Sequence, residues 1–377
     1  MRAENEQRGF SSPREALSMS YLDGLVRRTS SSVAGSFLAA FGRGMPARSK
    51  GLEAIFTRLR DEPDNEIGFE TWPSLGRLRH ALIARDEALS WASAVGLALC
   101  LAERGREVKF EVHLDGEAMF RFGRYALPPA ASLSCTSDGQ TAEIHVTHRS
   151  SRRDLFFSRS RGEWVGRLQE ARAVRNAGKE RIFITSLAPS VSALSGVPVA
   201  TLSHLELAWR YEAALDVIAR CAPSFLPWVT RSIRLIVPVV APYGTTLSKS
   251  FVGYPGVAAV SYEGPPTSIA DALVHEASHQ HWDLMQLCGD EALRYPATCQ
   301  GASGRTTEER LVAYHAFVNT LLFYRDCLTG GLGDDDLCHH QERSYSRAMG
   351  ELRRSLEHAD LAPAERALFE SLSEFAC

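Results

Sequence analysis

The 377-residue sequence lacks most of the features that would fix its class at once. It has no apolar run approaching the roughly 18 residues of a membrane-spanning helix. The longest candidate, "WASAVGLALCLA", reads as a buried helix instead. The first twenty residues, "MRAENEQRGFSSPREALSMS", are polar and without the apolar stretch of a secretory signal. No C-x-x-C pair occurs among the eight cysteines, so neither a cysteine zinc site nor a thioredoxin-like motif is expected. Scattered free thiols suit a reducing, cytoplasmic setting. Charge of one sign is also missing: 42 Lys and Arg stand against 45 Asp and Glu, for a net charge of −3. Nucleic acid and membrane are therefore not expected partners. Internal repeats and low-complexity tracts are absent, which excludes solenoids and long disordered arrays. What remains is a composition of 45% hydrophobic and 23% charged residues, that of a globular chain long enough for two or three domains or one large multilayer unit.

The hydrophobic period changes twice along the chain. Residues 1–20 read as a flexible or loosely docked arm, and 21–105 as a helical region in which "WPSLGRLRHALIA" and the segment from about Arg85 to Glu103 are helices stopped at Gly105. Between 106 and 190 the runs "EVKFEVHL", "AMFRFGRYAL", "ASLSC" and "TAEIHVTH" alternate and are broken by Gly, Pro and Asp, which predicts a small antiparallel sheet. "ERIFITSL" adds one more strand. An edge strand here can take up an extended peptide, and the arginines and phenylalanines of "RSSRRDLFFSRSR" suit an acidic one. From 191 to 377 the period is again mostly helical, interrupted by "IRLIVPVVAP" and "GVAAVSYE". Pro238 inside the first of these runs argues for an edge position or a bulge. The fold class predicted is α+β, mostly helical, with a small antiparallel sheet and a helical, metal-binding C-terminal part.

That part carries the chemistry. "DALVHEASHQHWDLM" places His275 and His279 four residues apart, one turn up the same helix face, with Glu276 beside the first. This is the H-E-x-x-H arrangement, in which two imidazoles reach one ion and the glutamate faces a metal-bound water. Thr267 or Ser268 is placed to cap the helix, and Ser268 with Asp271 makes a weak capping box. His281 points to another face and is read as a supporting or solvated residue. Trp282 and Met285 exclude the metzincin continuation. A third ligand must come from the next helix, "TEERLVAYHAFVNTLLFYRDCL", which offers Glu308, Glu309 and His315. His315 has apolar neighbours on both sides and needs a partner if buried. The carboxylates sit in the first turn, where the helix dipole favours them in any case.

From about Ser203 to Arg325 the chain resembles the H-E-x-x-H-type peptide β-hydroxylases of ribosomal peptide modification. The resemblance is carried by "YPGVAAVSYE", "LVHEASH", "YPATCQGASGRTTEE" and "YHAF", with "WPSLGRL" nearer the N-terminus. It implies an iron(II)- and 2-oxoglutarate-dependent dioxygenase acting on a precursor peptide with dioxygen. It also implies His275, His279 and His315 as metal ligands, with Glu276 as a further catalytic-site residue. A bidentate arginine holds the distal carboxylate of 2-oxoglutarate in such a site, and the candidates are Arg305, Arg294 and Arg310. Arg305 is preferred, because it lies in the glycine-containing loop just before the His315 helix. The alternative is a zinc-dependent metallopeptidase of the gluzincin type, with Glu276 as general base and Glu308 or Glu309 as third ligand.

Overall fold

The computed structural model describes residues 10–15, 19–61, 67–68, 71–118, 120–123, 125–148, 151–161, 163–166, 173–174, 182–184, 204–241, 246–251, 254–286, 306–330 and 336–376. In chain order, helices α1 (Met19–Phe41) and α2 (Met45–Arg48) precede the two-residue strand β1 (Ser49–Lys50). Then come α3 (Leu52–Asp61), α4 (Trp72–Ala84) and α5 (Glu87–Glu103). Asp86 caps α5 through a 2.9 Å bond from the Leu89 amide, and the chain leaves at Gly105 in the left-handed region, φ +87°.

The expected sheet follows as β2 (Glu107–Ala118), β3 (Arg121–Phe122), β4 (Tyr125–Ala126), β5 (Ala130–Asp138), β6 (Thr141–His148), β7 (Ser151–Ser160) and β8 (Glu163–Gly166). Its order is β1-β2-β5-β6-β7-β8, and every pair is antiparallel. Alternation does the sorting. Leu133, Cys135, Ile144, Val146, Leu155 and Phe157 are buried on one face, while Phe156 stands exposed on the other. "AMFRFGRYAL", read as one strand, is the short β3–β4 hairpin.

A second sheet crosses the boundary drawn at residue 190. Strands β9 (Ala173–Val174) and β10 (Ile182–Ile184) join β11 (Leu235–Val239), β12 (Ser248–Ser250) and β13 (Val257–Ser261) in the order β12-β13-β11-β10-β9. The β10–β11 and β11–β13 pairs are parallel, and the outer two are antiparallel. Pro238 was expected at an edge or a bulge, yet β11 lies inside the sheet and its register with β13 runs unbroken through Pro238. Among the described residues β10 pairs with Leu235 and Ile236 and not with Pro238, whose missing amide proton is therefore not called on there.

Around this sheet lie α6 (His204–Cys221), α7 (Phe225–Ser232), α8 (Pro266–Met285), α9 (Thr307–Thr329), α10 (Asp336–Glu357) and α11 (Pro363–Ala376). The chain is mostly helical, with the antiparallel sheet followed by a helical C-terminal part carrying the H-E-x-x-H residues. The N-terminal arm is not loose where it is described: Phe10 is 1% exposed, and residues 10–14 pack on α9 and α11. Among the described residues no helix is long and apolar enough to cross a membrane, and Cys100, Cys135, Cys221, Cys327 and Cys338 are outside any disulfide.

Candidate metal centre

Helix α8 starts at Pro266, preceded by Pro265 at the N-cap, with no side-chain cap. Neither Thr267 nor Ser268 caps it, because the prolines set the entry: proline at the first helical position has its φ preset and no amide proton to satisfy. Ile269, Ala270, Leu273, Val274 and Ala277 are buried, and so is most of the opposite side of the helix. A helix buried nearly all round must find partners for its polar side chains.

Most of them do. The Asp271 carboxylate accepts bonds from the Tyr324 hydroxyl at 2.9 Å and the Tyr345 hydroxyl at 3.2 Å. Ser278 Oγ donates to the Val274 carbonyl at 2.9 Å. Gln280 Oε1 accepts from the Gly256 amide at 2.7 Å, and its Nε2 donates to Ser250 Oγ at 3.2 Å, tying α8 to β12 and to the turn before β13. That turn, Tyr254-Pro255-Gly256, needs its glycine: φ is +77°, and a Cβ would meet Pro73 Cγ at 3.0 Å. His281 is not solvated. It is buried, stacks on Trp228 with centroids 3.3 Å apart, and its Nε2 lies 3.1 Å from the Trp228 carbonyl oxygen.

The side chains of the H-E-x-x-H motif differ. His275 Nε2 and His279 Nε2 face each other at 3.1 Å. Glu276 is 2% exposed, and its Oε2 has no hydrogen-bond partner. The ligand atoms of His275, Glu276 and His279 all lie within 4.8 Å of one another, the one such group among the described residues. Burial first, then the neighbouring imidazole, pushes His275 down to about 4, against the pull of Glu276. Burial and then His315 bring His279 to about 4 as well. Both rings are therefore neutral near pH 7, the form that ligates metal. Two nitrogens 3.1 Å apart also fit a common ion: at ligand distances of ~2.1 Å they subtend about 95°. A buried carboxylate oxygen without a partner completes a donor set of two histidines and one carboxylate. The residues present thus fit a metal ion.

No protein-family model matches the chain. No curated protein matches it either.

The remaining predicted residues fall in different places. His315, on α9, is 1% exposed and lies outside the three-residue group. Its Nε2 is 3.0 Å from the Phe10 carbonyl oxygen, and its Nδ1 is buried without a hydrogen-bond partner. Burial lowers it to about 4, opposed by the carbonyls of Phe10, Ser11 and Ser278. Glu309 is used elsewhere: its Oε2 accepts the Thr306 amide at 2.7 Å while Thr306 Oγ1 accepts the Glu309 amide at 3.1 Å, a complete capping box. Burial, and then Glu365 and Glu309, raise Glu308. Arg310 folds back on its own helix, donating to the Thr306 carbonyl at 3.4 Å and to Thr307 Oγ1 at 3.1 Å. Arg294 and Arg305 lie outside the described residues.

Sequence reading missed the two carboxyls flanking the motif. Asp271, His275, His279 and Asp283 follow at steps of four and form one slanted ridge on α8. Burial, opposed by the two tyrosine hydroxyls, raises Asp271 to about 7, and burial alone raises Asp283 to about 7. The four-residue step was a signal available in the sequence. The tyrosines, 53 and 74 residues away from Asp271, were not.

Proposed function

We propose that this chain is an iron(II)- and 2-oxoglutarate-dependent oxygenase that hydroxylates a side-chain β-carbon in a ribosomally made precursor peptide. The observation that carries the reading is the choice of donors. Glu309, one of the glutamates a gluzincin would use, is bound in a helix cap, while the same helix carries a buried histidine, His315, whose Nδ1 has no hydrogen-bond partner. His275 and His279 hold the ion from one helix, and His315 closes the set from the next. The 3.1 Å approach of the two Nε2 atoms would let one ion reach both. Iron(II) with 2-oxoglutarate and dioxygen would supply the oxidation that replaces a C–H hydrogen by hydroxyl, with succinate and carbon dioxide as co-products.

The chain's own residues bind and orient. Neutral imidazoles need no proton loss before they ligate. Glu276, buried beside both rings, would orient a ligand or the substrate. Arg310 is engaged at its own helix N-terminus, so the distal carboxylate of 2-oxoglutarate falls to Arg305, or to Arg294 if the loop folds over.

A zinc peptidase is the second reading. The unpartnered Glu276 Oε2 favours it, because a general base for a metal-bound water belongs in that position. One experiment separates the two. Metal-free protein is loaded anaerobically with iron(II), given 2-oxoglutarate and followed by visible spectroscopy, then exposed to air and analysed for succinate. A weak charge-transfer band and succinate release are expected. A flat spectrum with no succinate, together with peptide cleavage by the zinc-loaded protein, would replace the oxygenase by the peptidase.

A further inference from the structure

The segment that holds His315 comes from the other end of the sequence. Phe10 and Ser11 lie 305 and 308 residues from their partners on α9. The Phe10 carbonyl is 3.0 Å from His315 Nε2, and the Ser11 carbonyl accepts from Asn319 Nδ2 at 2.8 Å. Asn319 Nδ2 also reaches the His315 carbonyl at 3.0 Å. Four residues farther along the arm, Arg14 pairs with Asp326 at 2.6 Å. Residues 10, 11 and 14 thus meet 315, 319 and 326 in the same order, so the segment runs along one ridge of α9. Phe10 itself is anchored in the core at 1% exposure, and Ser11 Oγ meets Ser371 Oγ at 3.0 Å on α11.

A carbonyl oxygen can only accept. The bond to Phe10 therefore requires the proton of the neutral ring to sit on Nε2, and Nδ1 is left as a bare lone pair. That Nδ1 is buried and without a hydrogen-bond partner, a costly arrangement in a protein interior unless something else binds there. Metal-ligating histidines characteristically donate their second ring N–H to a carbonyl or carboxylate, which fixes tautomer and ring orientation together. The ring is further confined by Trp282 and Trp228, with centroids 6.4 and 6.5 Å away.

We propose that Phe10–Ser12 is a positioning segment of the metal centre: the Phe10 carbonyl locks His315 in its Nε2–H tautomer and presents Nδ1 as the third ligand. This rests on the assignment of His315 as a ligand, and not on which metal is native or which reaction follows. Asn319, one turn along α9, holds the segment in register by binding the next carbonyl.

The test uses the full chain labelled with 15N-histidine, free of metal, with zinc as the probe. Histidine nitrogen spectra are expected to show His315 as the Nε2–H tautomer. Zinc should then move the Nδ1 resonance while the Nε2 proton stays. The Phe10→Ala/Asn319→Ala double variant should show mixed tautomers and bind zinc about ten- to a hundredfold more weakly, with Phe10→Leu close to the parent. If circular dichroism shows the double variant unfolded, Asn319→Ala alone is read by the same two measurements. An Nδ1–H tautomer in the parent protein, a zinc shift on Nε2, or unchanged zinc affinity in a variant that has lost the tautomer would each overturn the proposal. His315→Ala separates the levels. If it binds zinc like the parent, the ligand assignment itself falls; if it loses zinc while the variants of the segment do not, only the positioning role falls.

Discussion

Lowering the pH from about 7.5 to about 5.5 is expected to leave metal affinity at His275 and His279 nearly unchanged. The reason is burial. An imidazole with the ordinary value near 6.5 is about nine-tenths protonated at pH 5.5, and each ligand then costs roughly a tenfold loss of affinity, or about a hundredfold for the pair. Here both rings lie at about 4, first because burial disfavours the charged form and then because of neighbouring imidazoles. At pH 5.5 a group of that value is only about 3% protonated, so the pair loses less than a tenth of its affinity. The assay is competition for zinc between metal-free protein and a chromophoric chelator, with the chelator's own protonation corrected and the fold checked by circular dichroism at both pH values. A hundredfold fall in affinity with the fold intact would refute the reasoning, since it would mean that the imidazoles are hydrated and titrate normally.

Three further outcomes follow from the same environment. Replacing Glu276 by Met should stabilise the metal-free protein by about 1–3 kcal/mol, because it removes a buried carboxylate oxygen that nothing satisfies, while abolishing activity; a drop in thermal midpoint would show that Glu276 is held by groups outside this account. Glu309→Ala should cost about 0.5–2 kcal/mol through the lost capping box yet leave zinc affinity unchanged, as measured by denaturation and chelator competition; loss of metal would restore the gluzincin reading. For pH, the folded values of His275, His279, His281 and His315 lie below the unfolded one, so their contribution is present above about 6.5 and is lost as pH falls through about 4, or about 3 for His281. Asp271 is raised to about 7, so its contribution has the opposite sign: fully present below about 3.8 and lost as pH rises through the folded value. Asp271→Asn should therefore raise the thermal midpoint at pH 8 relative to the parent and give no such gain at pH 5; equal effects at both would show that Asp271 does not titrate in this range.

The sequence determined whatever depends on neighbours within a few residues. A step of four on an apolar helix put His275 and His279 on one face. Alternation in "TAEIHVTH" and its neighbours specified antiparallel strands, and Gly105 marked a left-handed exit. Where the local signal was weak or overridden, tertiary structure decided. The β9 and β10 strands, two and three residues long, belong to the second sheet because β11 is there to pair with β10, and among the described residues that pairing ends at Ile236, two residues before the proline of β11. Thr267 and Ser268 carry the side chains of a cap, but two prolines already fix the entry to α8. The fate of Glu309 was local, a capping box with Thr306, yet its rivalry with His315 could not be settled by spacing, since both lie on one helix. Burial, hydrogen-bond partners and the approach of chain segments 305 residues apart give the two residues different surroundings, and none of these is written in a run of neighbouring residues. An imidazole reads the same in sequence whether it is solvated, stacked on an indole like His281, or turned to a backbone carbonyl like His315; only the packing around the ring tells them apart.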